Sequence, residues 1–205
     1  MYCLGLLLLA FGVSFSIKSN LGISPVNSIP YILSLVTYRD QGFITTLVFS
    51  VYVVLQTIIL GKDFRKINFL QIVFAGIFGY FVSFSNAIFE GITHPEHYLI
   101  QLLFLGISLV FVAIGLLLYL ASDIVPQPPE GLILAISQKY SLIFSRVKVV
   151  FDSSVVLIAC MISLIFFKEI IGIREGTFIS AILIGKLLGI LNKYFKSRVV
   201  EYLYR

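Results

Sequence analysis

Six apolar runs, each of about 20 residues, constrain this chain more than any other feature of its sequence. They are Met1–Ile17, Phe43–Leu60, Phe69–Phe89, Tyr98–Ala121, Val147–Phe167 and Ile173–Leu191. A helix of about 20 apolar residues crosses about 30 Å of hydrocarbon. Only 12% of the residues are charged and 59% are hydrophobic, whereas soluble domains carry about 25% charge. We therefore expect a single integral membrane domain over residues 1–205.

Two shorter apolar segments interrupt this pattern, and both follow prolines. Val26–Val36 follows Pro25, and Gly131–Ser137 follows Pro128 and Pro129. As helices with a rise of 1.5 Å per residue, these segments reach about 10 to 17 Å, which is roughly half of the hydrocarbon thickness. We therefore predict two re-entrant half-helices, each of which enters and leaves the membrane on the same side.

The two short segments occupy matching places in a repeat. A shift of 103 positions aligns Gly12 with Gly115, Ser19 with Ser122 and Pro25 with Pro128, and a shift of 106 aligns Ala75 with Ala181 and Gly79 with Gly185. We predict one repeat over residues 1–89, a second over residues 98–192, and a basic tail over residues 193–205. Broken hydrophobic segments at corresponding places in two halves are typical of a transporter site at the bilayer midplane.

The basic residues favour six spans over eight. With six spans and both termini inside, ten of the fifteen Lys and Arg residues fall inside, and only Lys18, Arg39, Lys168 and Arg174 fall outside. Cytoplasmic loops are enriched in Lys and Arg, and eight spans would remove this preference. Three spans per repeat place the second half upside down. The predicted fold is an all-α polytopic membrane protein with six transmembrane helices as two inverted three-helix repeats, each with a re-entrant half-helix.

Several short motifs resemble those of one family of bacterial membrane proteins. G-I-S-P-V-N at Gly22–Asn27, P-P-E-G-L at Pro128–Leu132 and E-G-T at Glu175–Thr177 are similar to motifs of the YczE/YyaS/YitT family, in its YczE-like branch. The resemblance covers nearly the whole chain and implies a small multi-pass protein of the bacterial inner (cell) membrane, often described as a transporter, without an established substrate. Asn27 stands where the family often has Asp, which removes one carboxylate from the first half-site.

Polar side chains at membrane depth are the candidates for binding a solute, because charge there is costly unless it meets a cavity or a partner. Glu130 begins the second half-helix, where it either caps the helix or binds a cation or a proton. The matching places in the first half are held by Ser24, Asn27 and Ser28. Gln71 and Thr177 are equivalent under the second shift and either bond between helices or contact the ligand. The small residues that follow them are expected to pack against neighbouring helices: Ala75, Gly79, Ala181 and Gly185.

Two further charged residues lie inside predicted spans. Asp152 follows Lys148 by four residues, so it either lines a polar path or forms an ion pair within its helix. Lys186 lies among leucine and isoleucine residues in the last span. We hypothesise that Glu130, Asp152 and Lys186 form a cluster on the cytoplasmic half of the site.

These features favour a small secondary transporter, or a membrane-embedded subunit that binds a small polar or charged solute between two opposed half-helices near the midplane. An enzyme is not expected, because neither a nucleophile elbow nor an H-E-x-x-H metal pair occurs, and no catalytic or cofactor site is predicted. Since the chain has no nucleotide-binding motif, any coupling would use an ion gradient or a separate energising partner. The alternative is a non-transporting membrane partner that stabilises or recruits another protein, and only the basic tail favours it.

The expected partners are the lipid bilayer and a small-molecule or ion substrate, and six spans are compatible with a homodimer. The formal net charge of +5 does not indicate nucleic acid, because the basic residues flank apolar runs, where they orient helices. A metal site is not expected either. His94 and His97 share an external loop with Pro95 between them and no further ligand nearby, which is typical of a solvated loop.

Overall fold

Eight α-helices make up the computed structural model, which describes the backbone of residues 1–203 and the side chains of residues 1–191, 193 and 194. In chain order they are α1 (Tyr2–Ser19), α2 (Pro25–Thr37), α3 (Gln41–Leu60), α4 (Leu70–Phe89), α5 (Tyr98–Ala121), α6 (Pro128–Lys139), α7 (Phe144–Phe167) and α8 (Glu175–Leu203). Two 3₁₀ turns, Gly61–Asp63 and Lys66–Phe69, connect α3 to α4. The predicted all-helical fold is confirmed, and no strand occurs within residues 1–203.

Within this part of the chain, five helices are long and apolar enough to cross a membrane: α1, α3, α4, α5 and α7. The sixth predicted run, Ile173–Leu191, lies largely within α8, which continues to Leu203 and so includes most of the predicted tail. The side chains of the tail beyond residue 194 lie outside the described residues. The helices α2 and α6 contain 13 and 12 residues, so they are only about 18 to 20 Å long and too short to span.

The breaks before the two short helices have local causes. Proline opens both of them, with Pro25 at the start of α2 and Pro128 and Pro129 at the start of α6. Proline is accepted in the first turn of a helix because its missing N–H would have no partner there. Before α2 the chain also passes through Asn20 and Gly22, which have positive φ angles of 54° and 112°. These left-handed residues end α1 and turn the chain into the half-helix.

The helices α1 and α5 form a closely packed antiparallel pair at the centre of the fold. Near the middle of the pair, the Ser108 hydroxyl donates to the Gly12 carbonyl oxygen at 2.7 Å. Near one end, a Cβ atom on Gly115 would lie 2.7 Å from the Gly5 carbonyl oxygen. Small residues such as glycine and serine allow two helices to approach this closely. On the flanks of this pair, α4 packs against α1 and α8 packs against α5.

Each short helix packs against a long helix of the other half of the chain. The helix α2 lies against α7, and α6 lies against α3. The helix α3 also packs along α4, where the backbones of Gly42 and Gly79 touch so closely that neither position has room for a Cβ atom. Among the described residues, α7 and α8 have no comparable contact. The second half of the chain is therefore more open than the first.

The loops gather at the two ends of the helical bundle. At one end, the Lys18 ammonium donates to the Ile92 carbonyl oxygen at 2.7 Å. At the opposite end of α1, the Tyr2 hydroxyl donates to the Val125 carbonyl oxygen at 3.1 Å. These two contacts tie α1 to the loop after α4 at one end and to the loop after α5 at the other.

Candidate functional site

A cavity of about 530 Å³ lies where the two short helices begin. All eight helices contribute side chains to its wall, which is mainly apolar. This volume falls within the range of about 300 to 1,000 Å³ that is usual for small-molecule sites. The cavity is therefore large enough for an organic solute.

Much of the cavity wall comes in pairs that are related by the sequence repeat. Both members of six such pairs line it: Leu9 with Val112, Val13 with Leu116, Ser24 with Gln127, Asn27 with Glu130, Phe49 with Asp152, and Phe78 with Ile184. The first five pairs follow the shift of 103 positions and the last follows the shift of 106. In two pairs the second half has a carboxylate where the first half has a neutral side chain. The acidic part of the wall therefore belongs to the second half.

Glu130 lies in the first turn of α6 and lines the cavity. Its Oε2 atom is buried and has no hydrogen-bond partner among the described residues. Gln127, immediately before α6, also lines the cavity; it is only 7% exposed, and its Nε2 atom has no partner among the described residues. Buried polar groups in proteins almost always have partners. These two side chains are thus available to a bound molecule.

Asp152 forms an ion pair with Lys148, the residue one turn earlier on α7, at 3.1 Å. Both side chains line the cavity, and the second carboxylate oxygen of Asp152, Oδ1, has no hydrogen-bond partner among the described residues. Asp152 therefore forms the predicted intrahelical ion pair and also lines the cavity. Lys186 lies on an exposed face of α8 and is not part of the wall. The structure does not bring Lys186 into the hypothesised cluster, because Lys148 takes the place beside Asp152.

The beginning of α2 supplies the neutral polar part of the wall. Ser24 and Asn27 both line the cavity, and the Asn27 amide donates to the Ser24 hydroxyl at 3.0 Å. Ser28, the third residue predicted here, is buried and donates to the Pro25 carbonyl oxygen at 2.6 Å. Ser28 does not line the cavity, because its hydroxyl is turned back onto its own helix.

Gln71 and Thr177 lie outside the cavity wall. The amides of Gln71 and Gln56 form a pair with N–O distances of 2.9 and 3.2 Å, and Gln56 also donates to the Pro128 carbonyl oxygen at 3.1 Å. Thr177 is buried against Gly22, just before α2. Gln71 therefore bonds to a neighbouring helix, which agrees with its interhelical interpretation, whereas the Thr177 hydroxyl accepts only from the nearby Arg174 N–H, at 3.4 Å, among the described residues.

The small residues of α4 and α8 differ in their surroundings, although they are equivalent in sequence. Ala75 is buried and Gly79 touches Gly42 on α3, as predicted. Ala181 and Gly185 line the cavity instead, and outside its own stretch of helix no atom of the described residues lies within 4 Å of the place where a Cβ atom on Gly185 would be. The predicted packing of these two residues is not present in this structure, because α8 does not approach α7 as α4 approaches α3.

Four polar wall residues were not among the predicted site residues: Tyr119, Gln127, Lys148 and Ser180. The shift of 103 positions carries Ser24 onto Gln127, so the repeat contained the signal for this residue. Ser180 lies three residues after Thr177 on α8 and shares its helix face. No comparable sequence signal distinguishes Tyr119 from the other tyrosines.

The fold and the cavity define an all-helical protein whose several apolar helices suit a multi-pass membrane protein, with a solute-sized cavity at its centre. The chain belongs to the family described as "Family of unknown function (DUF6198)", whose model matches residues 1–193. It is 27% identical over 201 residues to "Uncharacterized protein YyaS" of Bacillus subtilis (strain 168), over 96% of this chain and 95% of that protein. The resemblance to the YczE/YyaS/YitT family is thereby confirmed. No solved structure matches the chain.

Proposed function

We propose that this protein is a small secondary transporter of the bacterial inner membrane that binds a small polar or charged solute in the cavity between α2 and α6. The observation that carries the proposal is the paired wall, in which equivalent residues of both halves face one cavity. Transporters built from inverted repeats bind their substrates at the repeat interface, beside broken helices near the midplane.

The proposed topology has six spans, with α8 as the sixth, two re-entrant helices and both termini in the cytoplasm. The antiparallel packing of α1 and α5, which occupy equivalent places in the repeat, supports an inverted relation between the halves. The contacts at the bundle ends are also consistent with it. Lys18 and Ile92 lie in predicted external loops and contact each other, whereas Tyr2 and Val125 meet at the predicted cytoplasmic end.

The difference between the two halves supports a transport movement. The helices α3 and α4 touch at Gly42 and Gly79, whereas Ala181 and Gly185 on α8 face the cavity without a partner on α7 among the described residues. In alternating access, one repeat moves against the other around a fixed site. The corresponding second state would have α8 closed onto α7 and α3 separated from α4.

Ligand-induced thermal stabilisation of the purified protein tests the binding step. A ligand that binds only the folded protein raises the melting temperature by mass action, so one class in a panel of organic cations, anions, zwitterions and neutral solutes is expected to do so. Gly185→Leu places a side chain in the cavity and should abolish the shift. Gly189→Leu is the matched control: a Cβ atom on Gly189 would likewise have no atom of the described residues within 4 Å outside its own stretch of helix, but Gly189 does not line the cavity. Stabilisation by none of the compounds would refute the proposal.

The alternative function, a non-transporting partner of another protein, rested on the basic tail 193–205. The tail side chains beyond residue 194 lie outside the described residues, so this alternative stays a prediction from the sequence. The compound panel separates the two functions, because an accessory protein without a solute site should respond to no compound class. The homodimer with which six spans are compatible likewise stays an expectation from the sequence.

A further inference from the structure

The charges around the cavity indicate the kind of solute that it accepts, an inference that rests on the proposed function. Two carboxylates, Glu130 and Asp152, line the cavity, and Lys148 is the one basic residue in its described wall. The Lys148 ammonium lies 3.1 Å from Asp152 and is therefore already paired. Among the described residues, Glu130 has no basic side chain within ion-pair distance. The wall thus has one carboxylate more than it has cations.

The helix starts at the cavity are poor sites for an anion. A helix N-terminus binds anions through its free backbone N–H groups, but proline has none. Pro128 and Pro129 remove two of these groups from α6, and the N–H of Gly131 already donates to the Gln127 carbonyl oxygen at 2.8 Å. Pro25 likewise removes one from α2. An acidic solute would therefore meet the Glu130 carboxylate with few backbone donors left to compensate for it.

The remaining wall suits a large apolar body. Phe49 and Phe78 are stacked, with ring centroids 5.8 Å apart and an angle of 8° between the ring planes, and both line the cavity. Leu116 and Ile184 extend this apolar surface. Aromatic faces also attract cations within about 6 Å of the ring centroid. We propose that the cavity binds a lipophilic monovalent organic cation, with its charged group at Glu130 and its apolar body against Phe49 and Phe78.

Two ions of nearly the same shape and opposite charge, tetraphenylphosphonium and tetraphenylborate, test this assignment. In thermal melts of the detergent-solubilised full chain, tetraphenylphosphonium should raise the melting temperature of the wild-type protein and tetraphenylborate should not. Glu130→Gln should weaken the affinity for tetraphenylphosphonium about tenfold or more, which corresponds to about 1.4 kcal/mol. Glu90→Gln is the matched control, because Glu90 is exposed at the end of α4 and does not line the cavity. It should bind the cation as the wild type does.

The outcomes separate a wrong charge from a wrong function. Stabilisation by tetraphenylborate instead of tetraphenylphosphonium would overturn the assignment, and so would unchanged cation affinity in Glu130→Gln. The comparison of the two ions uses the wild-type protein, so it remains valid even if a variant fails to fold. A melt of each variant without ligand shows whether that variant is folded. If another compound class gives a shift that Gly185→Leu abolishes, the cation assignment fails but solute binding stands. If nothing binds, both fail.

Discussion

The hydrogen-bonded pair of Gln56 and Gln71 at the start of α6 allows a quantitative prediction of stability. Replacing Gln56 with Leu removes its two bonds to Gln71 and its bond to the Pro128 carbonyl oxygen. Gln56 and Gln71 are each only 1% exposed, so water cannot replace these bonds. Interhelical hydrogen bonds in membrane proteins contribute about 0.6 kcal/mol on average and about 1.7 at most. Three such bonds give about 2 to 5 kcal/mol, and because the added leucine contacts offset part of the loss, we expect about 2 to 3 kcal/mol.

A double-mutant cycle in SDS unfolding titrations, followed by circular dichroism, measures this cost. In the variant that carries both Gln56→Leu and Gln71→Leu, neither amide of the pair is left without its partner, and the Pro128 carbonyl oxygen loses only its side-chain donor. The double variant should therefore be more stable than the sum of the two single effects predicts, by about 1 kcal/mol or more. Strictly additive effects would refute the idea that these two side chains stabilise the protein as a pair.

Three more predictions concern the packing, the ion pair and the topology. Gly79→Leu should destabilise the protein by about 1 to 3 kcal/mol through overpacking against α3, as measured by the same titrations. Lys148→Met should cost about 1 kcal/mol, since its side chain is 39% exposed and water weakens the pair, and adding Asp152→Asn should restore most of the loss. With the native cysteines replaced by serine, an impermeant maleimide applied to intact cells should label Arg39→Cys but not Lys139→Cys. Labelling of both would rule out the inverted arrangement.

The helices could be predicted from the sequence because hydrophobicity and proline act locally. The run Tyr98–Ala121 coincides with α5, and the predicted half-helices Val26–Val36 and Gly131–Ser137 lie inside α2 and α6. The short helices begin earlier than predicted because proline is tolerated in the first helical turn. The bounds of α8 were predicted least well, since a helix can continue past the apolar residues that mark a span.

The side chains of the site could be predicted only where position along the chain determines their surroundings. Ser24, Asn27 and Glu130 lie at the starts of half-helices, and such starts converge on the cavity. For residues within long helices, the direction of the side chain depends on how neighbouring helices pack. Gln71 and Thr177 consequently occupy equivalent places yet miss the cavity. The spacing of small residues does not decide their surroundings either. On α4, Gly79 touches a neighbouring helix, whereas on α8 the equivalent Gly185 faces the cavity.

Under the proposed function, the divergence between the two halves would explain how a chain built from a repeat could hold an asymmetric solute. A strictly symmetric wall would place equal charges at both half-helices, and a molecule with one charged end would fit equally well in two orientations. Glu130 stands at the position equivalent to Asn27, and Asp152 at the position equivalent to Phe49. Both carboxylates of the cavity wall therefore belong to the second half. In a membrane interior, a carboxylate without a partner is costly, so this arrangement is stable only if the carboxylate takes up a proton or the cavity supplies water or a cation. Under the proposed function, the repeat would provide the two related halves that a transport movement needs, and the divergent side chains would set the orientation in which a cation binds.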